Sequence, residues 1–306
     1  MTPTQPLFNR VAFIGIGLIG SSLARAIRKY HLADHIAIST RRAETLDTAK
    51  ALNLGDSYSQ DPAEAIVDAD LVVICTPMGA FEAVAKAISP ALKTGAIVTD
   101  VGSVKSTAVN DLLPHLPKDV HLVPGHPIAG TEHSGPESGY ADLFPGHWCI
   151  LTPTDDVDSA AVDKVKALWL ACGAKVEIMT PDHHDRVLAI TSHLPHLIAF
   201  TIVDTAAQLA EETQKEVIQF SASGFRDFTR IAASDPVMWR DVFLSNKGAV
   251  LDILGRFRED LDQLTTAIED DDGELLEETF ARTRAIRRGI IDEKQHIPDA
   301  KPGKKT

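Results

Sequence analysis

The sequence predicts an α/β fold: a doubly wound, mainly parallel sheet followed by an all-helical domain. Three observations carry this. Short β-type apolar runs alternate with helical stretches through the first half, the pattern of βαβ units. A glycine-rich turn joins the first such run to the first helix. Past Thr180-Pro181-Asp182 no convincing strand follows.

The elements read in order as follows. Val11-Ala12-Phe13-Ile14 is a strand, 18–30 a helix, and Ile36-Ala37-Ile38-Ser39 a second strand. Leu71-Val72-Val73-Ile74-Cys75 is apolar throughout, as expected of a strand covered on both faces. Residues 96–100, 120–123 and 148–151 continue the pattern, and 176–179 is the last strand. Thr180 as N-cap with Pro181 behind it starts a helix. Val250, Leu254, Phe257, Leu261, Leu264 and Ile268 recur at 4-3-4-3-4 spacing and form one stripe on a long helix. That stripe suits core packing or a subunit interface. Asp270-Asp271-Asp272-Gly273 reads as a solvated turn between helices. The expected domains are 1–180, a dinucleotide-binding unit, and 181–295, a helical unit, with a disordered tail over 296–306.

Composition excludes several function classes. A formal net charge of −13 over 306 residues argues against nucleic acid and against an anionic membrane surface. Cys75, Cys149 and Cys172 are far apart, so neither a disulfide framework nor a cysteine zinc site is expected. No apolar run reaches transmembrane length, and residues 1–10 lack a signal core. A cytoplasmic location is the expectation.

The turn after the first strand is Gly15-Ile16-Gly17-Leu18-Ile19-Gly20. Its strand–turn–helix setting makes it a Rossmann-type dinucleotide fingerprint. Gly15 permits the tight turn, Gly17 lets a pyrophosphate approach, and Gly20 lets helix and strand pack closely. Leu18 and Ile19 open the helix whose N-terminus faces the phosphates. Thr76 and Pro77, after the apolar run 71–75, are further cofactor-binding candidates. An acid ending the second strand would bind a ribose 2′-hydroxyl. This chain has Ser39-Thr40-Arg41-Arg42 instead, two hydroxyls and two guanidiniums suited to a 2′-phosphate. That favours NADP, with NAD the alternative.

Gly125-His126-Pro127-Ile128-Ala129-Gly130-Thr131-Glu132 reads as a glycine-bounded loop that holds an imidazole by backbone geometry. Asp100-Val101-Gly102-Ser103-Val104-Lys105 follows a strand and so faces the ligand crevice of an open parallel sheet. Ser192-His193-Leu194-Pro195-His196 places a proline within a helical pattern and predicts a kink. Arg226 and Arg230 share a helix face ahead of Asp235-Pro236-Val237-Met238-Trp239. Arginine suits a carboxylate clamp.

Together these blocks resemble the prephenate/arogenate (cyclohexadienyl) dehydrogenase family, over nearly the whole chain from Val11 to about Arg288. The resemblance implies oxidative decarboxylation of prephenate or arogenate in tyrosine biosynthesis. It implies that His126 is catalytic and that Ser103 orients it. Arg230 and His196 match residues that bind the substrate's carboxylate and side-chain end. Thr131, Glu132 and Trp239 match residues that line or gate the pocket, and His193 a further pocket histidine. The helical unit is implied to be a dimerisation domain, giving a homodimer. Neither a fused mutase before Val11 nor a regulatory domain after the helices is expected.

Three other readings compete. A β-hydroxyacid dehydrogenase of similar build would use a lysine base early in the second domain, but no Lys lies between Lys175 and Lys215. A non-catalytic nicotinamide sensor has no need of His126, His196 and Arg230 together. A metal site from His183, His184, His193 and His196 is disfavoured because adjacent histidines point to different helix faces; Asp182 and Asp185 read as acids favoured by the helix dipole. No metal is expected.

Overall fold

The computed structural model describes residues 5–131, 133–208 and 223–292. The chain divides into two compact units, residues 1–250 and 251–306. The helices that follow Thr180 fall in both.

The first unit is built on a six-stranded parallel sheet of order β3-β2-β1-β4-β5-β6. Its strands are β1 (Phe8–Ile14), β2 (Ala33–Ser39), β3 (Ser57–Ser59), β4 (Leu71–Ile74), β5 (Ile97–Asp100) and β6 (His121–Leu122). β4 and β5 are buried at every position, as their unbroken apolar runs require for a sheet covered on both faces. The chain order reverses beside β1, between β1 and β4, so their C-terminal ends open a crevice. Helix α1 (Leu18–Tyr30) covers one face with Leu23, Ala24 and Ile27, packed against Val11, Phe13, Ile36 and Ile38. Phe81, Ala85 and Ile88 cover the other face against Val72, Ile74 and Val98.

Two expectations about strands are corrected. The strands after β6 do not extend the parallel sheet. β7 (Gly125–Ile128), β8 (Trp148–Leu151) and β9 (Lys175–Ile178) form a second sheet, β7 antiparallel to β8 and β8 parallel to β9. And His126 lies on a strand rather than in a loop, paired opposite Ile150. The local signal was misleading because Gly125 and Pro127 are turn formers. Gly125 is needed here for close approach: a Cβ would stand 3.2 Å from the Asp100 carbonyl oxygen.

Thr180 caps the next helix, accepting a 3.3 Å hydrogen bond from the His183 amide, with Pro181 in the first turn. The helix runs from Pro181 to Ala207 and opens into a π turn at Ala189–His193, directly before Pro195. This is the irregularity a proline without an N–H donor imposes. By length and composition alone the helix is long and apolar enough to cross a membrane, a feature the residue-by-residue reading of apolar runs misses. Within the unit its residues His184, Asp185, Leu188, Ala189 and His193 are buried. Pro236–Ser245 follows, capped by Asp235 and anchored by buried Trp239 and Val242.

In the second unit, the helix of Lys247–Glu269 and that of Gly273–Asp292 meet at a turn through Asp271, which has positive φ. Asp272 caps the second helix by accepting from the Leu275 amide. The stripe is only partly covered: Leu261 and Ile268 are exposed, as are Leu275, Phe280 and Ile286. The tail over 296–306 lies outside the described residues.

Candidate active site

The cofactor cradle forms where β1 meets α1. Gly15 has φ of +90°, and a Cβ there would stand 2.8 Å from the Cys75 carbonyl carbon and oxygen, so only glycine fits. A Cβ on Gly20 would press on the Gly15 oxygen at 3.1 Å and on Cys75. A Cβ on Gly17 would meet nothing within 4 Å, so open space lies over the helix N-terminus. The buried Thr76 hydroxyl, two residues past β4, has no hydrogen-bond partner among the described residues. An open glycine at a helix start with no side-chain cap fits a dinucleotide pyrophosphate, and the orphaned hydroxyl fits another polar group of the same cofactor. Ser39 is buried, Thr40 half-buried, and Arg41 and Arg42 are exposed at the end of β2, where no acid stands.

The chemical centre is a buried hydrogen-bond network joining β5, β7 and the helix from Pro181. Nδ1 of His126 lies 2.9 Å from Nε2 of His184. Nδ1 of His184 lies 2.8 Å from a carboxylate oxygen of Asp185. The Asp185 carboxylate also accepts from the backbone amides of Lys105 (2.7 Å) and Ser106 (2.9 Å). Below this, the fully buried Lys105 ammonium binds the Asp100 carboxylate and donates to the Gly125 carbonyl at 2.7 Å. Asp100 accepts from the Gly102 amide at 2.7 Å and the Gly125 amide at 3.3 Å. One buried ion pair thus holds the residues preceding both Ser103 and His126. Burial pushes the His126 imidazole well below its ordinary range, helped by His184, Lys105 and His193. Burial also lowers His184, against the pull of Asp185. Asp185 stays below the usual carboxylate range because its donors outweigh its burial.

A second group lies along the π turn and the helix of Pro236–Ser245. The Asn246 amide donates to the Asp185 carbonyl at 2.8 Å and lies 3.1 Å from His193 Nδ1. A carbonyl only accepts, so the amide nitrogen is the atom between them, and His193 Nδ1 must accept. Its buried Nε2–H then has no hydrogen-bond partner among the described residues. Burial lowers the His193 pKa to about 4. His196 stacks on Trp239, and its Nδ1 lies 2.8 Å from the Ser192 carbonyl. Arg230 is near enough to depress His196 electrostatically, after burial as the main cause. Thr131 is half-buried and accepts from the His133 amide; Glu132 lies outside the described residues.

The sequence pattern of the prephenate dehydrogenase nucleotide-binding domain matches residues 23–178, and that of the prephenate dehydrogenase dimerization domain matches 180–282. A cyclohexadienyl dehydrogenase of Zymomonas mobilis is 41% identical over 93% of this chain and 97% of its own. The chain belongs to the prephenate dehydrogenase family. The crystal structure of prephenate dehydrogenase from A. aeolicus, in complex with hydroxyphenyl propionate and NAD+, superposes with a TM-score of 0.86 at 35% identity, covering 95% of this chain and all of that one. Synechocystis arogenate dehydrogenase gives 0.78 at 28% identity, covering 92% and 99%. As a member of that family it is a nicotinamide-dependent dehydrogenase, an oxidoreductase.

Against that family background, the structure changes two readings. The resemblance points to Ser103 as the group orienting His126; the hydrogen-bond partner of His126 Nδ1 is His184 Nε2 instead. Ser103 remains half-buried at the crevice end of β5. Asp185 is not a solvated dipole acid but a buried acceptor of three hydrogen bonds. His183 is exposed and points away from buried His184, so the two do not act together. Residues that sequence reasoning missed are His184, Asp185, Asn246 and the Lys105–Asp100 pair. The available signal was position: Lys105 inside an otherwise crevice-facing motif, and His184-Asp185 one turn past a capped helix start.

Proposed function

We propose that the chain oxidises and decarboxylates prephenate, arogenate or both, with His126 as the group that takes the hydrogen bond of the ring hydroxyl. The observation that carries this is a neutral, half-buried imidazole at the crevice end of the sheet, its Nδ1 already engaged by the protein. A neutral imidazole keeps one nitrogen lone pair to accept a hydroxyl proton. The bound nicotinamide supplies the hydride acceptor. As the carbinol C–H bond breaks, the ring carboxylate leaves as carbon dioxide and its electron pair completes the aromatic ring. The proton shared with His126 remains with the product phenol, so atoms and charge balance. Ser103 contacts the same hydroxyl or the nicotinamide edge. Arg230 and His196 bind the substrate carboxylate and side-chain end, Trp239 backs His196, and His193 donates from Nε2 into the pocket; Thr131 and Glu132 border it.

Gly15, Gly17, Leu18, Ile19 and Gly20 hold the pyrophosphate, with Thr76 and Pro77 beside the nicotinamide half. Ser39, Thr40, Arg41 and Arg42 favour NADP. The exposed apolar side chains of the second unit support a homodimer, and the charge of −13 a cytoplasmic small-molecule enzyme. The test is direct. Purified protein is given each dienol with each cofactor and followed at the absorbance of the reduced nicotinamide, alongside His126→Asn. The expected result is turnover of at least one dienol and a loss of about 10²–10⁴-fold in kcat in the variant, with cofactor affinity kept. A variant within a few-fold of the parent would move the base elsewhere, His196 being the next candidate.

A further inference from the structure

We propose that His184 and Asp185 form a positioning dyad that fixes the proton of His126 on Nδ1 and leaves Nε2 as its proton acceptor. The argument needs only donors and acceptors. Asp185 accepts two backbone amides, from Lys105 and Ser106, which hold its carboxylate as an acceptor. His184 Nδ1, 2.8 Å away, must therefore donate to it. A neutral imidazole that donates from Nδ1 accepts at Nε2. His126 Nδ1, 2.9 Å from that Nε2, must donate in turn. The only nitrogen of His126 left with a free lone pair is Nε2. The order of protons along the chain is thus set at its far end, by a carboxylate clamped to the first turn of the helix Lys105–Leu112.

The geometry leaves the dyad no freedom to reverse. His184 is fully buried and Asp185 nearly so. The Asp185 backbone is held as well, its carbonyl accepting from Asn246. The rings of His126 and His184 meet edge-on, with centroids 5.1 Å apart and planes inclined by 64°, which suits an in-plane N–H donor. The same arrangement steadies charge. As the ring hydroxyl's proton is drawn toward His126, its Nδ1–H bond to His184 strengthens, and the negative Asp185 faces the positive charge developing on the pair. Groups facing His126 are His184, Lys105 and His193, all of which oppose its protonation; Asp185, acting through His184, opposes them.

His184 and Asp185 touch neither substrate nor cofactor in this scheme; they act through His126. The proposal rests on the functional reading above for its kinetic consequence but not for its structural one, so the test has two arms. In the first, the protein is labelled with 15N-histidine and the ring nitrogens are read by NMR near pH 7.5. The expected parent has His126 protonated at Nδ1 and bare at Nε2. In Asp185→Asn the side chain no longer accepts at both positions, and His126 shifts toward the Nε2–H form. In the second arm, Asp185→Asn loses roughly 10²-fold in kcat, at the low end of what losing general-base help costs, while KM and cofactor affinity hold. The acid limb of its kcat/KM profile moves to lower pH, because the carboxylate favouring imidazolium is gone. His184→Gln, whose amide oxygen accepts from His126 Nδ1–H, retains more activity than His184→Leu. A parent His126 protonated at Nε2 overturns the proposal. So does a variant that loses activity with its His126 nitrogens and acid limb unmoved, the mark of a structural role alone. If neither dienol turns over while the NMR result is as expected, the functional reading fails and the proton order stands.

Discussion

The imidazole of His196 lies parallel to the indole of Trp239, ring centroids 3.6 Å apart and planes inclined by 23°. One face of His196 is thereby fixed, and Nδ1 is engaged by the Ser192 carbonyl, so Nε2 is the nitrogen left for a ligand. Trp239 is itself packed against Phe243 and carries an indole N–H with no hydrogen-bond partner among the described residues. Trp239→Ala is expected to raise KM for the dienol by about 2- to 12-fold, the worth of one aromatic contact at 0.5–1.5 kcal/mol. Trp239→Phe keeps the ring and should recover most of that. If Phe is as poor as Ala, the indole N–H rather than stacking carries the effect.

Gly17→Ala separates cofactor binding from folding. A methyl group there meets no protein atom within 4 Å but occupies the space a pyrophosphate needs. The variant should melt within a degree or two of the parent and bind nicotinamide cofactor at least 10-fold more weakly by fluorescence titration. Gly15→Ala, strained by φ of +90° and a 2.8 Å contact with backbone, should lose stability as well. Unaltered cofactor binding in Gly17→Ala would place the pyrophosphate elsewhere.

Changing Arg41 and Arg42 together to Ala should raise KM for NADP far more than for NAD. Both side chains are exposed just past the end of β2, a strand that ends in Ser39 and not in an acid, the nearest following carboxylate in sequence being Glu44 on the next helix. Charge-assisted contacts of about 1.5–3 kcal/mol correspond to roughly 10- to 150-fold. Equal effects on the two cofactors, or a parent strongly preferring NAD, would remove the case for a 2′-phosphate site.

Lys105→Ala leaves the Asp100 carboxylate buried without its cation. Such a removal costs about 3–5 kcal/mol, and the expected fall in Tm is on the order of 10 °C. Because the pair also carries the Gly102 amide and the Gly125 carbonyl, kcat should fall in whatever fraction remains folded. Urea denaturation measures the first effect and active-site titration the second. A stable, fully active variant would mean that the two strand ends are held by their backbone pairing alone.

Stability should decline as pH falls below about 6.5. His126, His184, His193 and His196 are all lowered from that ordinary value, chiefly by burial. Each binds its proton more tightly when unfolded, so its contribution is complete above the unfolded value and is lost as pH falls toward the folded one. For His193 the window runs from 6.5 to about 4 and is worth on the order of 3 kcal/mol. Thermal melts between pH 7.5 and 4.5 follow this. His193→Gln should flatten the slope; an unchanged slope would show that His193 already titrates normally in the fold.

The sequence by itself determined the local and periodic features. Residues 18–30 form a helix because a glycine turn precedes them and an apolar face recurs along them. The Thr180-Pro181 cap and the long helix carrying the 250–268 stripe follow from chain-local rules in the same way. The three glycines of the cradle, with Gly15 at positive φ, are legible because one residue type alone fits such a turn. Only the tertiary structure decided the rest. Whether 148–151 and 175–178 join the parallel sheet or form another is a question of pairing between distant segments, which no window of sequence contains. His184 and Asp185 looked like ordinary residues of a first helical turn. His184 is 58 positions from His126 and Asp185 is 80 from Lys105, and they become neighbours only when the helix from Pro181 packs on the helix Lys105–Leu112. Periodicity reports which face of an element is buried; it does not report what the buried polar groups meet there, and in this protein that meeting sets the proton on His126.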